Sequence, residues 1–470
     1  MSYSCDSKLS FHDCELAILR EVIDKAENIK GHEIANSPQI KDMISIVEHF
    51  IEDNKLLCYG GTAINNILPK KDQFYDLSKE IPDYDFFSPN PLEDAKKLAD
   101  IYYKKGYTEV EAKAGVHYGT YKVFVDFTPI ADITLIDKLL YKTLLKTSIK
   151  INGIYYIPPD MLRMSMYLEL SRPAGDMSRW EKVLKRLTLL NKHYPLKSTT
   201  CDYHFFSRNM ENKNIDTELV FKITRDYLVN NECVFFGGYA NSIFSHYMNK
   251  KTEKIIKETP DFDVLSNDPK RTANGIKVML KNNNINNVVI MEHKNLDEII
   301  PVHYQIKIGK DTIAFIYKTI ACYNYNKVNV DGTLLRIATI DTMLSLYLAF
   351  VFANRNYYDT ERIMCMAHFL FKIQQKNRLK QKGPLKRFSI KCYGEQSSLQ
   401  SIRLTKKQKY DELSKNKNSK EFEQWFLNYK PNGNTKKPKK HSKKTRRNKD
   451  NRSVKTIKAS ISKLLNPLIN

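Results

Sequence analysis

The sequence predicts an α/β (α+β) fold made of two tandem units of one design, each a small mixed sheet flanked by helices. Three observations predict it. A short apolar strand ends in a glycine pair twice, at Gly60–Gly61 and at Gly237–Gly238. An Asp-x-Asp strand follows each pair, at Asp83–Ser88 and at Asp261–Ser266. In both halves these strands alternate with helical patterns, which is typical of α/β proteins.

The first unit begins with a predicted helix. Ser37 is a favourable N-cap, and Pro38 suits the first turn. The apolar residues that follow have helical spacing: Ile40, Met43, Ile44, Val47, Phe50 and Ile51. The apolar strand Leu56–Tyr59 then leads into the glycine pair, and Pro91 begins a further helix after the Asp-x-Asp strand.

The second unit repeats these elements in the same order. Asp216 can cap a helix, the apolar strand Cys233–Phe236 precedes the second glycine pair, and Pro269 begins the later helix. The offset between the halves is 177 residues at the glycine pairs and 178 at the Asp-x-Asp strands. The stretches Ser165–Leu168 and Ser345–Leu348 match at an offset of 180. Because these matches form an ordered series, they predict an internal duplication.

The repeat defines the predicted domain organisation. Residues 1–195 form the first unit with its N-terminal helices, residues 196–214 are a polar linker, and residues 215–385 form the second unit. Residues 386–470 are a C-terminal extension. Its low-complexity basic part, residues 432–452, is predicted to be disordered until it meets a partner.

The charge predicts a polyanionic partner. The 470 residues include 76 Lys and Arg against 53 Asp and Glu, a formal charge of +23. The run Thr435–Lys449 holds nine Lys and Arg and no acid, so without it 67 basic residues still face 53 acidic ones, leaving +14. Because the body is basic as well as the tail, we expect nucleic acid first and an acidic membrane surface second.

The cysteines predict a reduced, intracellular protein. The eight cysteines form no CxxC pair, and most stand in apolar surroundings, which favours buried thiols over a disulfide framework or a zinc site. Met1–Leu9 lacks the apolar core of a signal peptide, and the longest apolar run, Met343–Ala353, is too short to cross a bilayer. We therefore expect an intracellular location and no membrane partner.

Asp83 and Asp85 are candidate metal ligands. Residues two apart in a strand point to the same side, so both carboxylates face one way. Adjacent carboxylates repel each other unless a cation lies between them. Hard oxygen ligands suit Mg²⁺ or Mn²⁺, which the sequence therefore predicts here.

Asp126 is the predicted third carboxylate. It lies in the apolar stretch Val123–Thr128, where a buried acid needs a partner. If that stretch is a strand beside the Asp83–Asp85 strand, the three carboxylates converge. Two metal ions held there can bridge an attacking hydroxyl and a triphosphate, with Asp126 nearest the 3′-hydroxyl.

The turn Gly60-Gly61-Thr62 suits a triphosphate. Glycines let the backbone approach a phosphate closely, and the N–H groups of a following helix attract an anion, while Thr62 can donate its hydroxyl. A tight strand-to-helix turn is the commoner role of such glycines, so their order with the carboxylates carries the prediction. Further candidates for contact with triphosphate or RNA stand on later helices, where solvated helix faces are an equal alternative: Arg163, Arg172, Lys182 and Arg186.

The order strand, glycine pair, helix, Asp-x-Asp strand and single-Asp strand resembles the DNA polymerase β-like nucleotidyltransferase superfamily. The doubled architecture with a basic tail resembles the poly(A) polymerase catalytic subunits of large DNA viruses, of the poxvirus and mimivirus type. That resemblance implies template-independent addition of AMP from ATP to RNA 3′ ends with two Mg²⁺ or Mn²⁺ ions. It implies that the triphosphate is held by Gly60–Thr62 and the metals by Asp83, Asp85 and Asp126. The gap between the glycines and the Asp-x-Asp strand is longer than the common pattern, and both halves share it.

The second unit is predicted to lack catalysis. It keeps Asp261 and Asp263, but the counterpart of Asp126 is Thr312 or Tyr317, neither of which is acidic. Asp311 is predicted to lie in a hairpin turn, on the wrong side. We expect this unit to bury the flank of the first and to offer a basic wall for RNA, and whether its carboxylate pair binds a metal stays open.

Other functions remain open at this point. The chain can be a terminal uridylyl transferase, a CCA-adding enzyme or an oligoadenylate synthase, because the sequence specifies the base poorly. A non-catalytic RNA-binding scaffold explains the charge but not the three strand-borne acids. A homodimer and a separate processivity factor are both compatible with the sequence, and the basic tail can be an RNA tether, a nuclear address or a solvated terminus.

Overall fold

The computed structural model describes residues 10–76, 78–197, 201, 216–247, 261–296 and 299–431. It contains two eight-stranded mixed sheets flanked by helices, which confirms the predicted fold class. The first sheet has the strand order β16-β3-β4-β5-β2-β1-β7-β6. Its strands are β1 (Leu57–Cys58), β2 (Tyr84–Ser88), β3 (Val110–Ala114), β4 (Thr120–Val125), β5 (Thr128–Leu135), β6 (Ile149–Ile151), β7 (Ile154–Tyr156) and β16 (Asn428–Tyr429).

The second sheet repeats the first. Its order is β10-β11-β12-β9-β8-β14-β13-β15. The seven strands from β10 across to β13 match, place by place, the seven strands from β3 across to β6 in the first sheet. The parallel or antiparallel sense of each of these pairings is the same in both sheets. This topology supports the predicted duplication. The strands are β8 (Val234–Phe236), β9 (Phe262–Ser266), β10 (Val288–His293), β11 (His303–Ile308), β12 (Asp311–Lys318), β13 (Tyr323–Val330), β14 (Thr333–Ala338) and β15 (Cys392–Tyr393).

The helices begin where the sequence signals predict. Ser37 Oγ accepts from Ile40 N at 3.3 Å, and Asp216 accepts from Leu219 N at 3.0 Å. The first-half helices are α1 (Phe11–Ala35), α2 (Pro38–Asp53), α3 (Gly60–Ile67), α4 (Pro91–Lys104), α5 (Lys138–Thr147), α6 (Pro159–Leu170) and α7 (Trp180–His193). The later helices are α8 (Thr217–Asn230), α9 (Gly237–Ile243), α10 (Pro269–Asn282), α11 (Ile340–Ala353), α12 (Thr360–Lys376), α13 (Leu399–Leu413) and α14 (Lys420–Phe426).

The two halves are joined through equivalent helices, because α6 packs against α11. Buried polar groups cross this junction. Tyr167 Oη donates to Gln374 Oε1 at 3.1 Å, and Gln374 Nε2 donates to Asp341 at 3.3 Å. Asp341 also forms a buried ion pair with Arg387 at 2.7 Å. Because each group has a partner, the junction can be buried without stranding a charge.

The C-terminal extension returns to the first sheet. Strand β16 pairs antiparallel with β3, and Tyr429 Oη donates to Asp100 at 2.7 Å. Trp425 packs on Tyr118 with ring centroids 4.6 Å apart. The predicted basic tail and most of the predicted linker lie outside the described residues, so the domain boundaries stay predictions. In the described ranges, no helix is both long and apolar enough to cross a membrane.

The prediction that the cysteines form no disulfides was wrong. Cys201 is bonded to Cys365 and Cys322 to Cys392. The partners are 164 and 70 residues apart in sequence, and the fold brings their Cα atoms within 5.0 and 5.1 Å. Spacing along the chain carries no signal of such approaches. Cys58 is a free, buried thiol, as predicted.

Candidate active site

Three carboxylates share one face of the first sheet. Asp85 lies in β2, and its register partner in the parallel strand β5 is Asp132. Asp83 stands two residues before Asp85, and cross-strand partners share a face of the sheet. We call this the front face. Tyr84 and Phe86 point to the opposite, buried face, where α4 packs.

Asp126 is not part of this cluster, so the predicted third carboxylate was wrong. Strand β4 pairs with β3 and β5, and the chain reverses at Asp126 and Phe127, both with positive φ (46° and 65°). Positive φ at both central residues is the geometry of a two-residue hairpin turn. The Asp126 carboxylate accepts from Gln39 Nε2 at 2.7 Å instead. The missed residue, Asp132, also stands in an alternating apolar stretch.

The cluster carries unfavourable negative charge. Burial raises the pKa of Asp85 to about 7, with further contributions from repulsion by Asp83 and Asp132. Desolvation and then repulsion by Asp132 raise the pKa of Asp83, although this residue is exposed at the surface. Lys122 forms an ion pair with Asp132 and opposes both shifts. A cation at this face would therefore be stabilised.

The donor set suits a hard divalent ion. Carboxylate oxygens from Asp83, Asp85 and Asp132 are the ligands that Mg²⁺ and Mn²⁺ prefer. No group of three or more His, Cys, Asp or Glu side chains is already gathered as a metal cage in the part of the chain that the structure describes. Asp132 is engaged by Lys122, so metal binding at this site requires that ion pair to loosen.

The glycine turn approaches the cluster closely. Gly60 has φ +72°, a conformation that favours glycine, and a Cβ there would lie 2.5 Å from Asp85 Oδ2. Because α3 begins at Gly60, its free N–H groups lie beside Asp85. Thr62 is buried and donates its hydroxyl to the Asp83 carbonyl oxygen at 2.7 Å. It thus positions Asp83, whereas the predicted partner of this hydroxyl was a phosphate.

Cations of α7 and of the residue before it lie near the turn and the carboxylates. A Cβ at Gly61 would lie 3.0 Å from Arg186 Nη1, and Arg186 Nη2 donates to Tyr75 Oη at 2.7 Å. Lys182 is exposed and lies near enough to lower the pKa of Asp83, as Arg179 does for Asp85. Positions 179, 182 and 186 share one helical face. That face is therefore basic where it meets the carboxylates.

Arg163 does not reach the site. It is fully buried and donates to Asp160, to Asn191 Oδ1 at 2.8 Å and to the Tyr194 carbonyl oxygen. Burial lowers its pKa to about 10. Its predicted role in nucleotide binding was wrong, because its guanidinium forms hydrogen bonds that join α6 to the end of α7.

The second sheet lacks the third carboxylate, as predicted. The residue that stands in its place differs from the predicted one. The register partner of Asp263 is Phe315, which is therefore the counterpart of Asp132. Thr312 and Tyr317 were wrong as predicted counterparts of the third carboxylate, because the two halves were aligned on Asp126 and not on Asp132. A cation from the protein fills this site: Arg362 Nη2 lies 2.9 Å from Asp261 Oδ1, and both side chains are buried.

Comparisons with known proteins find relatives of one kind. Residues 45–176 match the family model of the poly(A) polymerase catalytic subunit. A poly(A) polymerase catalytic subunit of African swine fever virus (isolate Tick/Malawi/Lil 20-1/1983) is 33% identical over 180 residues, 37% of this chain and 38% of the relative. One of Acanthamoeba polyphaga mimivirus is 34% identical over 188 residues, 38% of this chain and 31% of the relative. The matches thus span about a third of the length of these relatives.

The fold likeness extends further along the chain. The crystal structure of the Megavirus polyadenylate synthase matches with a TM-score of 0.74 and 22% identity, covering 88% of this chain and 86% of that one. This likeness concerns the fold, whereas the family model and the viral relatives confirm the resemblance to poly(A) polymerase catalytic subunits over the part of the chain that they match. The segment matched by the family model contains the glycine turn and all three carboxylates, Asp83, Asp85 and Asp132.

Proposed function

We propose that this chain is a polynucleotide adenylyltransferase that adds AMP from ATP to the 3′ end of RNA without a template. One observation carries the proposal. Asp83, Asp85 and Asp132 stand together beside the start of α3, inside the segment that resembles poly(A) polymerase catalytic subunits. The basic excess of the chain suits an RNA acceptor, since contacts to a polyanion release its counterions.

The triphosphate is assigned to the start of α3. The free N–H groups of Gly60 and Gly61 and the helix dipole favour an anion there. Arg186 stands over Gly61, and its guanidinium can form paired hydrogen bonds with phosphate oxygens. Lys182, near Asp83, adds a point charge on the same side. Negative charge that develops on the leaving pyrophosphate is stabilised by these groups, which are already in place.

The carboxylates are assigned to two divalent ions, Mg²⁺ or Mn²⁺. When bound, such ions activate the attacking hydroxyl and neutralise charge at the α-phosphate. Strand β2 lies between β1 and β5, so Asp132 is one strand further from α3 than Asp85. Asp132 therefore faces the acceptor side, where the 3′-hydroxyl loses its proton as its oxygen attacks the α-phosphorus. Thr62 keeps Asp83 in position through its backbone.

The base and acceptor are tested by nucleotide addition. The full-length chain is incubated with each nucleoside triphosphate separately, with and without an RNA primer, in Mg²⁺ or Mn²⁺. We expect ATP-dependent extension of the primer, lost in Asp85→Ala. Preferred use of UTP or CTP, or oligoadenylate made without primer, would assign the site to the alternative transferases. Extension that persists in Asp85→Ala would refute the carboxylate assignment.

Partners and location are proposed on the relatives alone. Because these relatives are described as catalytic subunits, a further subunit is expected for this chain. It is either a second copy of the chain or a separate processivity factor. Measuring the mass of the assembly in solution distinguishes the two. We propose an intracellular site of action, in host cytoplasm or virion, because the relatives are viral. The disulfides remove the cysteine argument for it.

A further inference from the structure

A row of cross-strand partners leads away from the carboxylates over the front face of the first sheet. Asp85 pairs with Asp132, Asp132 with Lys122 in β4, and Lys122 with Lys113 in β3. Asn428 in β16 pairs with Lys113 and ends the row. Cross-strand partners point to the same face, and strands are about 4.8 Å apart, so Lys113 lies roughly 10 Å from Asp132. We call Lys122, Lys113 and Asn428 the lysine row.

The front face is accessible along this row. The side chains of Lys113 and Lys122 are 45% and 39% exposed. On the back face their neighbours Ala112 and Val123 are fully buried, and α4 packs there. The sheet therefore has one closed face that stabilises the fold and one open face that begins at the catalytic carboxylates.

The duplicate sheet shows that the fold does not need these lysines. At the equivalent register, Asp263 pairs with Phe315, Phe315 with Gln305 and Gln305 with Met291. Strand β9 is buried at all five positions, whereas β2 alternates between buried and partly exposed residues. Met291, at the position of Lys113, is also exposed, so the two sheets differ in the lysines and in the openness of the strand that carries the carboxylate pair.

An aromatic side chain completes the surface. Phe124 follows Lys122 by two residues on the same face and is partly exposed, and Lys113 Nζ lies 5.7 Å from its ring centroid. Single-stranded nucleic acids bind where cations follow the backbone and aromatic rings stack on bases. Glu111 forms an ion pair with Lys113, so a phosphate must compete with this carboxylate.

We propose that the acceptor RNA lies along the lysine row. Its 3′ end is at Asp132, its backbone phosphates are at Lys122 and Lys113, and a base packs on Phe124. This inference rests on the proposed function, and it assigns the acceptor to the β4–β3 side of the carboxylates and ATP to the α3 side.

The test measures RNA affinity of the full-length chain by fluorescence anisotropy with an oligoadenylate, over a range of salt concentrations. Lys113→Glu is compared with Lys150→Glu. Lys150 is a matched control: it is exposed on β6, the opposite edge strand of the same sheet, with Nζ 5.0 Å from the Tyr155 ring centroid. We expect RNA binding about tenfold weaker in Lys113→Glu, with a salt slope lower by about one, and a change below about twofold in the control.

A second variant is expected to change RNA affinity in the opposite direction. Glu111→Gln removes the competitor for Lys113, so it should tighten RNA binding by about threefold, the size of an exposed ion pair. The KM for ATP should stay unchanged in both variants. RNA affinity unchanged in both Lys113→Glu and Glu111→Gln, or a KM shift for ATP alone, would overturn the inference. Because binding needs no turnover, a wild-type chain that adds no AMP would refute the proposed function separately.

Discussion

The carboxylate pairs of the two sheets stand at the same place in the same strand order but have different surroundings. In the first sheet, Asp85 faces Asp132 across the strands, and the surface beside them is open. In the second, Asp263 faces Phe315, and Arg362 is ion-paired with Asp261 in a buried site. The comparison shows that the Asp-x-Asp strand is part of the shared scaffold. The two copies differ in the residue across the strands and in the cation in front, and on the proposed function these two differences leave only the first copy competent for chemistry.

The cations in front of the two pairs come from equivalent positions. Lys182 and Arg362 are 180 residues apart, the offset that also relates the paired helices α6 and α11. Burial would lower the pKa of Arg362, but its carboxylate neighbours Asp261 and Asp263 raise it above the usual value. Lys182 remains exposed near Asp83. The same helix position thus supplies a structural charge in one unit and a charge accessible to a substrate in the other.

The largest expected effect is a difference in unfolding free energy between variants of these two cations. Arg362→Ala leaves the buried carboxylate of Asp261 without its ion-pair partner and should cost about 3 kcal/mol of unfolding free energy. Lys182→Ala changes an exposed side chain and should cost less than about 0.5 kcal/mol. Urea denaturation followed by circular dichroism compares them. Equal losses in the two variants would show that both cations have the same role.

A smaller effect concerns pH. The pKa of Asp85 is about 7 in the folded chain against 3.8 as its ordinary value, so the folded state binds the extra proton. The stability this gives is complete below about pH 4 and is lost as pH rises to 7. We expect the metal-free chain to lose roughly 1 to 3 kcal/mol over this range, after allowance for the partial exposure of Asp85.

The control for this pH effect is Asp85→Asn, which should flatten the pH dependence of stability between pH 4 and 7. Added Mn²⁺ should stabilise the wild type most at pH 7 and above, where the carboxylates are ionised. Thermal unfolding at a series of pH values measures both. An identical pH profile in wild type and Asp85→Asn would show that another group titrates.

The sequence was sufficient for features whose signals are local. The glycine pair and the Asp-x-Asp strand follow from short-range patterns, and their repetition predicted two sheets of one design. The hairpin at Asp126–Phe127 gave no such signal, because it has neither Asn-Gly nor Asp-Gly, and an apolar Phe127 suggested a continuing strand. That one missed turn moved the predicted third carboxylate from Asp132 to Asp126.

Other features could not be predicted because they depend on contacts between distant residues. The pairing of β2 with β5 places Asp132 beside Asp85, and this is a property of strand order. Strand β16 reaches β3 from more than three hundred residues away. The disulfides join residues 164 and 70 positions apart. In each case the decisive quantity is a distance in space that spacing along the chain does not specify.

We propose that Asp132, and not Asp126, completes the active site of the first unit. The most direct test compares Asp132→Asn and Asp126→Asn in single AMP addition to an RNA primer, with circular dichroism to establish that both fold. We expect a loss of roughly a thousandfold or more for Asp132→Asn and a rate within about twofold of wild type for Asp126→Asn. Near-normal addition by Asp132→Asn, with loss in Asp126→Asn, would contradict it.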